Sequence, residues 1–290
     1  MKSVDVEDLE IRFLLEGIQQ VYGYDFREYA PSSIKRRLTH WLAESEFDTF
    51  SIAQSQLLRD RSLFEDLLRG ITVNVTEMFR DPAFFKVVRE QVVPFLKTYP
   101  FVKIWLAGCA TGEEAYSMAI LLNEEGMEGR YRMYATDINE AVLHKAEEGV
   151  VSLAEMQRFT RNYQKSGGTA SFANYYTARY DRAVLSASLK KNIVFAPHNL
   201  ATDAAFGEMN MVLCRNVMIY FKPSLKERCL ELFDSSLPAG GFLCLGLKET
   251  LERKTISSAY EELAPHMRIY RKGYGCAIGA ETQQAGGCDV

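Results

Sequence analysis

The feature that most restricts this chain is a recurring order: a short apolar run, then polar or glycine-bearing residues, then in most cases a helical stretch. Four such runs stand at KIWLAG (103–108), RMYATD (132–137), NIVFAP (192–197) and MVLCRN (211–216), and GFLCLG (241–246) and MRIYRK (267–272) add two more. Runs this short and apolar suit strands buried on both faces, and their alternation with helices predicts a mainly parallel sheet covered on both sides. A doubly wound α/β domain over about residues 100–272 is the resulting expectation. One stretch interrupts the alternation. Residues 168–190 carry Tyr175, Tyr176, Tyr180 and Val184 among polar neighbours behind Gly167-Gly168, which predicts a small antiparallel β insert.

The first 70 residues have a different texture. Ile11, Leu14, Leu15, Ile18 and Val21 recur at helical spacing, Pro31-Ser32-Ser33 opens a second run with Ile34, Leu38, Trp41 and Leu42, and Leu63, Phe64, Leu67, Leu68 and Ile71 repeat the pattern. A small all-helical N-terminal domain over 1–70 follows, joined by a linker helix region at 71–99. Within that region Asp81-Pro82 reads as a cap and a proline at the first helical position, starting a helix that runs to about Leu96. Residues 273–290, rich in Gly, Ala and Gln, read as a flexible tail.

Composition excludes several function classes. No run is long and apolar enough to cross a bilayer, and the acidic MKSVDVEDLE start lacks the order of a signal peptide, so a cytoplasmic protein without direct membrane insertion is expected. A net charge of -4 argues against nucleic acid as partner. The six cysteines form no C-x-x-C pair and the four histidines no ligand spacing, so no metal is expected.

The chemistry gathers at the ends of the apolar runs. Gly108 and Gly112 bracket a tight turn into a helix whose first turn holds Glu113 and Glu114. That pair of acids would repel a phosphate but suits a ligand bearing ammonium and sulfonium charges; taken alone, the turn is equally an ordinary one whose acids favour the helix dipole. Asp137 ends the second run, where an acid can accept from ribose hydroxyls or simply cap a helix. Asn199 and Leu200 follow the third, placed for the edge and face of an adenine, and Arg215-Asn216 ends the fourth. A charge inside so apolar a run is costly unless paired or set in a cleft. Four polar stations at consecutive strand ends converge on one crevice.

At these residues the chain resembles the chemotaxis receptor methyltransferases, protein-glutamate O-methyltransferases that use S-adenosylmethionine. The resemblance rests on NVTEMFR (74–80), TGEEAYS (111–117), TDI (136–138), HNL (198–200) and, most specifically, CRNVMIYF (214–221). It implies a Rossmann-like methyltransferase sheet and a cofactor site made by Asn74, Thr76, Arg80, Glu114, Asp137, Asn199, Leu200, Arg215 and Asn216, to which the glycine turn adds Gly108, with S-adenosylhomocysteine as product. Arg80 and Tyr220, in the two most family-like segments, are expected near the reacting methyl group. The implied partners are cytoplasmic methylation helices of chemoreceptors, and the 168–190 insert matches in position the family's β-subdomain; independently of the resemblance, Lys35, Arg36, Arg37 and His40 on one helix read either as a basic face for such an acidic partner or as a solvated surface. Met78, Ala110 and Ala115 replace the usual phenylalanine, serine and proline, and GLKE (246–249) replaces G-x-S-E, a change that bears on acceptor docking. The alternatives are a methyltransferase with another acceptor and a non-catalytic receptor-binding module.

Overall fold

A computed structural model describes residues 5–72, 76–251 and 258–274. Four helices come first: α1 (Val6–Tyr22), α2 (Pro31–Glu44), α3 (Phe50–Leu57) and α4 (Arg61–Ile71). Asp5, Thr49 and Asp60 cap α1, α3 and α4 by accepting from backbone N–H groups of the first turn, and Pro31 opens α2 at a position where its missing N–H costs nothing. Their apolar stripes meet in one core containing Leu14, Ile18, Leu38, Trp41, Phe64 and Leu67.

The helix expected from Asp81 to about Leu96 is interrupted. It runs as α5 (Pro82–Val87), a π-helical stretch (Val88–Val92) and α6 (Val93–Leu96). Pro94 cannot donate to the carbonyl four residues back, and the wider turn accommodates it. Asp81 precedes α5 with φ +55° and makes no side-chain cap, so its carboxylate is spent elsewhere.

The remaining elements are β1 (Val102–Ala107), α7 (Glu113–Glu124), β2 (Tyr131–Asp137), α8 (Glu140–Glu148), β3 (Val150–Ser152), α9 (Met156–Lys165), β4 (Tyr176–Arg179), β5 (Arg182–Leu185), α10 (Ala187–Lys190), β6 (Ile193–Pro197), β7 (Met211–Cys214), α11 (Pro223–Ser236), β8 (Phe242–Leu245), β9 (Tyr260–Ala264) and β10 (Ile269–Lys272). Seven strands form one sheet in the order β6-β2-β1-β7-β8-β10-β9, parallel from β6 to β8 and antiparallel over the last two pairs. Alternate residues of β1 serve opposite faces: Ile104 and Leu106 join the core under α7, while Trp105 and Ala107 join the core under α11. From β1 the chain winds outward through β2 to β6, then returns to place β7 on the other side of β1. The crevice at the carboxyl ends of β1 and β7 is therefore the topological switch point, where open α/β sheets bind ligands.

The doubly wound sheet, the helical N-terminal domain and the antiparallel insert are all present. Two details differ from expectation. The insert's sheet has three strands in the order β3-β5-β4, and β3 lies before α9, outside the expected 168–190 span; three residues are too few to show a strand period. The edge strand β9 is not foreseen from the sequence, because its YEELA run carries two exposed acids where a buried strand would be apolar. Of the expected tail only Gly273 and Tyr274 lie within the described residues, and no described helix is long and apolar enough to cross a membrane.

Candidate functional site

Each strand end at the switch point delivers a polar group for a local reason. After β1, Gly108 takes φ +77° and its N–H, with that of Cys109, donates to the Thr136 carbonyl at 2.8 and 2.9 Å. A Cβ on Gly108 would come 2.4 Å from Cγ2 of Val217, so only glycine lets the β1 and β7 loops touch. Gly112, at φ +91°, then starts α7 and sets Glu113 and Glu114 in its first turn. Burial pushes the Glu113 carboxyl above the ordinary range while the Thr111 hydroxyl, donating at 2.7 Å, pulls it back.

After β2, the Asp137 carboxylate accepts from Ala110 N–H at 2.9 Å and Asn139 N–H at 3.0 Å. It does not cap α8; Asn139 does, by accepting from Ala141 N–H. Burial is the larger influence on Asp137 and holds its carboxyl above the ordinary value, against the pull of those N–H donors. After β6, the Asn199 side-chain oxygen accepts from Ala201 N–H at 3.0 Å, which leaves its amide NH2 as the donor it can offer, and Leu200 is buried beside it.

After β7 stands Arg215, its side chain only 2% exposed. Its guanidinium is already engaged: it pairs with Glu114 and, at 2.8 Å, with Asp81, and lies 3.9 Å from the centre of the Phe84 ring. Asn216 follows at φ +63°, a left-handed conformation held by Glu249. That buried carboxylate accepts from Asn216 N–H at 2.9 Å, Val217 N–H at 3.0 Å and Gly246 N–H at 2.6 Å. Burial pushes the Glu249 carboxyl up and these donors pull it back.

One cavity joins these stations. Thr76, Arg80, Gly108, Glu114, Asp137, Asn199, Leu200, Arg215, Asn216 and Tyr220 all line it, and with its open mouth it spans about 1190 Å³. Asn74 lies outside the described residues. The acidic first turn of α7, the Asp137 carboxylate and the Gly108 approach fit the charges and ribose of S-adenosylmethionine.

The helical domain supplies the opposite wall, with Tyr29, Ser33, Ile34, Arg37, Ile71 and Thr72. Ala30 N–H donates to the Tyr220 carbonyl at 2.8 Å, Lys222 N–H donates to the Glu28 carbonyl at 2.9 Å, and the Tyr29 and Phe221 rings meet edge-on with centres 4.9 Å apart. The Arg37 guanidinium sits 4.7 Å from the centre of the Tyr220 ring and donates to the Ile71 carbonyl at 2.9 Å. This corrects the expected basic face on α2. Successive residues of a helix point about 100° apart, so the three cations separate: Lys35 is matched by Asp5, Glu7 and Asp8, Arg37 turns into the cavity, and Arg36 faces solvent. His40 sits beside Glu44.

Sequence reading missed Asp81, Glu249 and Tyr29. Glu249 stands in GLKE as the residue that keeps the G-x-S-E pattern, with no role attached to it, and Asp81 reads from sequence as a helix cap. Long-range pairing of this kind leaves no local signal.

The sequence profile described as "CheR methyltransferase, SAM binding domain" matches residues 74–264, and that described as "CheR methyltransferase, all-alpha domain" matches 9–72. A protein of Pseudomonas putida named as a methyltransferase, Cher3, is 49% identical over 94% of this chain and 100% of its own length. The chemotaxis protein methyltransferase of Listeria innocua is 28% identical over 85% of this chain and 92% of its own. That of Salmonella typhimurium is 28% identical over 84% of each. With both profiles matched in order along a chain whose strand ends converge on one cavity, this protein belongs to the CheR family of S-adenosylmethionine-dependent methyltransferases.

Proposed function

We propose that this chain esterifies glutamate side chains of chemoreceptors in the cytoplasm with the methyl group of S-adenosylmethionine, giving glutamate methyl esters and S-adenosylhomocysteine. The observation that carries the reading is the composition of this cavity. One wall offers acids and amides at four strand ends, the facing wall sets Arg37 against the Tyr220 ring, and Arg80 lines the same cavity. Among the described residues neither Arg37 nor Arg80 has a carboxylate within ion-pair distance, so both guanidiniums can receive an incoming one. In this reading residues 1–70 face the receptor, 71–99 connect and add Thr76 and Arg80 to the cavity, and 100–272 carry the rest of the cofactor site.

When bound, the cofactor supplies an electrophilic methyl on a positively charged sulfur. Glu114 holds its ammonium, Asp137 its ribose hydroxyls, Asn199 and Leu200 its adenine, and Asn216 with Thr76 the remaining polar groups. Arg80, Arg37 and Tyr220 orient the acceptor carboxylate. An acceptor glutamate, with a reference pKa of about 4.3, is already ionised near neutral pH and needs no general base. Alignment and exclusion of water are what the site must provide, and such positioning can lower a barrier by roughly 7–11 kcal/mol.

The test is incubation of the protein with radiolabelled S-adenosylmethionine and membranes from its host. Transfer of label to a receptor-sized protein, released as methanol by mild base, is expected. Absence of label, or label that withstands base, refutes the glutamate ester.

A further inference from the structure

One guanidinium serves two carboxylates beside the cavity. Arg215 pairs with Glu114 from the first turn of α7 and with Asp81 from the residue before α5, and it accepts the Phe84 ring against its face. Its side chain is 2% exposed, while those of Glu114 and Asp81 are 17% and 29% exposed. The three charges sum to one surplus negative charge. Asp81 itself does not line the cavity; Glu114 and Arg215 do. The Asp81 backbone stands at φ +55°, a conformation uncommon for a residue with a side chain, and its carboxylate forgoes the cap of α5 to reach Arg215. Both costs point to a role for the contact itself.

We infer that Asp81 is a positioning residue that draws Arg215 away from full neutralisation of Glu114, so that the triad lacks one cation and completes itself with the ammonium of the bound ligand. Without Asp81, Arg215 and Glu114 would form a balanced pair with little remaining pull on a cation. The surplus charge is a burden on the free protein and an asset only when the ligand arrives, the pattern expected where stability is traded for binding. This rests on the cofactor reading above, and specifically on Glu114 meeting the amino-acid end of the ligand.

The decisive variant is Asp81→Asn, which keeps an oxygen acceptor for Arg215 but removes the charge. Calorimetry on the full chain would use two probes, S-adenosylhomocysteine and 5′-methylthioadenosine, which shares the nucleoside but has no ammonium. Loss of one charge interaction across a few ångströms predicts weaker S-adenosylhomocysteine binding by on the order of tenfold. Affinity for 5′-methylthioadenosine is unchanged, the ligand-free melting temperature is not lowered, and Asp81→Glu restores binding of S-adenosylhomocysteine. Proportionate weakening of both probes, unchanged S-adenosylhomocysteine binding, or a free protein that melts earlier or fails to fold overturns the inference by making Asp81 a merely structural partner. A wild-type protein that binds neither probe overturns the cofactor reading instead.

Discussion

Glu249→Gln tests how the loop after β7 is held. In the wild type Oε2 accepts from Gly246 N–H at 2.6 Å and Asn216 N–H at 2.9 Å, and Oε1 accepts from Val217 N–H at 3.0 Å, all in a residue 4% exposed. A glutamine fits the same space but has only one oxygen. In one orientation its NH2 faces Val217 N–H; in the other it faces both Gly246 and Asn216. At least one buried donor is orphaned either way, at a cost of about 1–3 kcal/mol. For a chain of this size each kcal/mol lowers the melting temperature by roughly 2–4 °C, so a loss of several degrees is expected. The site should register it too, because Asn216 at φ +63° is held in place by that carboxylate. Affinity for S-adenosylhomocysteine should fall several-fold by calorimetry. Wild-type melting together with wild-type affinity in Glu249→Gln would refute the idea that this carboxylate organises the loop.

The remaining perturbations probe other parts of the cavity. Gly108→Ala forces a left-handed alanine and sets its Cβ 2.4 Å from Val217 Cγ2, so a destabilisation of about 1–3 kcal/mol with loss of ligand binding is expected in thermal melts. Near-wild-type melting would show that the loops can part freely. Burial holds the Asp137 carboxyl above its reference of 3.8, whereas ribose donors favour the ionised form. Ligand affinity should therefore decline on acidification through that raised value, while Asp137's own contribution to the stability of the free protein runs the other way, complete at low pH and lost as pH rises through it. Affinity that stays constant well into the range where an ordinary aspartate is protonated would remove Asp137 from the site. Arg80→Ala and Tyr220→Phe should lower methyl transfer at saturating cofactor far more than they lower cofactor affinity, since misplacing an acceptor by about an ångström can cost on the order of a hundredfold in rate. Near-normal turnover in both would leave only the cofactor pocket.

What the sequence reveals is set by how local each cause is. Strands β1 and β7 are legible because burial on both faces demands largely apolar runs, and the glycine or polar residue that ends each run stands out against them. Gly108, Asp137 and Arg215 were visible on that ground. The partners of Arg215 were not, because Asp81 lies 134 positions away and Glu114 101, and nothing in either neighbourhood requires an ion pair. Glu249 reaches Asn216 across 33 residues in the same silence. The basic run on α2 misled for the opposite reason: adjacency in sequence suggested one face, while helical rotation sends Lys35 to the acids of α1 and Arg37 into the cavity.

That rotation changes what the helical domain does. A domain that only displayed charges outward would touch the sheet through incidental contacts, yet here the chain at 28–30 pairs with the chain at 220–222 through Ala30 N–H to Tyr220 and Lys222 N–H to Glu28. The Asn139 amide, at the start of α8, donates to the Thr72 hydroxyl at 3.0 Å and fastens the end of α4 to the rim of the cavity. Tyr220 is thus held from three sides: by its own loop, which Glu249 anchors, by the backbone ahead of α2, and by the Arg37 guanidinium over its ring. The strand ends line one side of the cavity, and the wall that faces them is built from the N-terminal domain. On the proposed reading, a carboxylate entering between those walls would meet Arg37 only while the helical domain stays against the sheet, whereas Arg80 belongs to the cofactor domain's own stretch of chain, so the acceptor half of the site would draw on both domains.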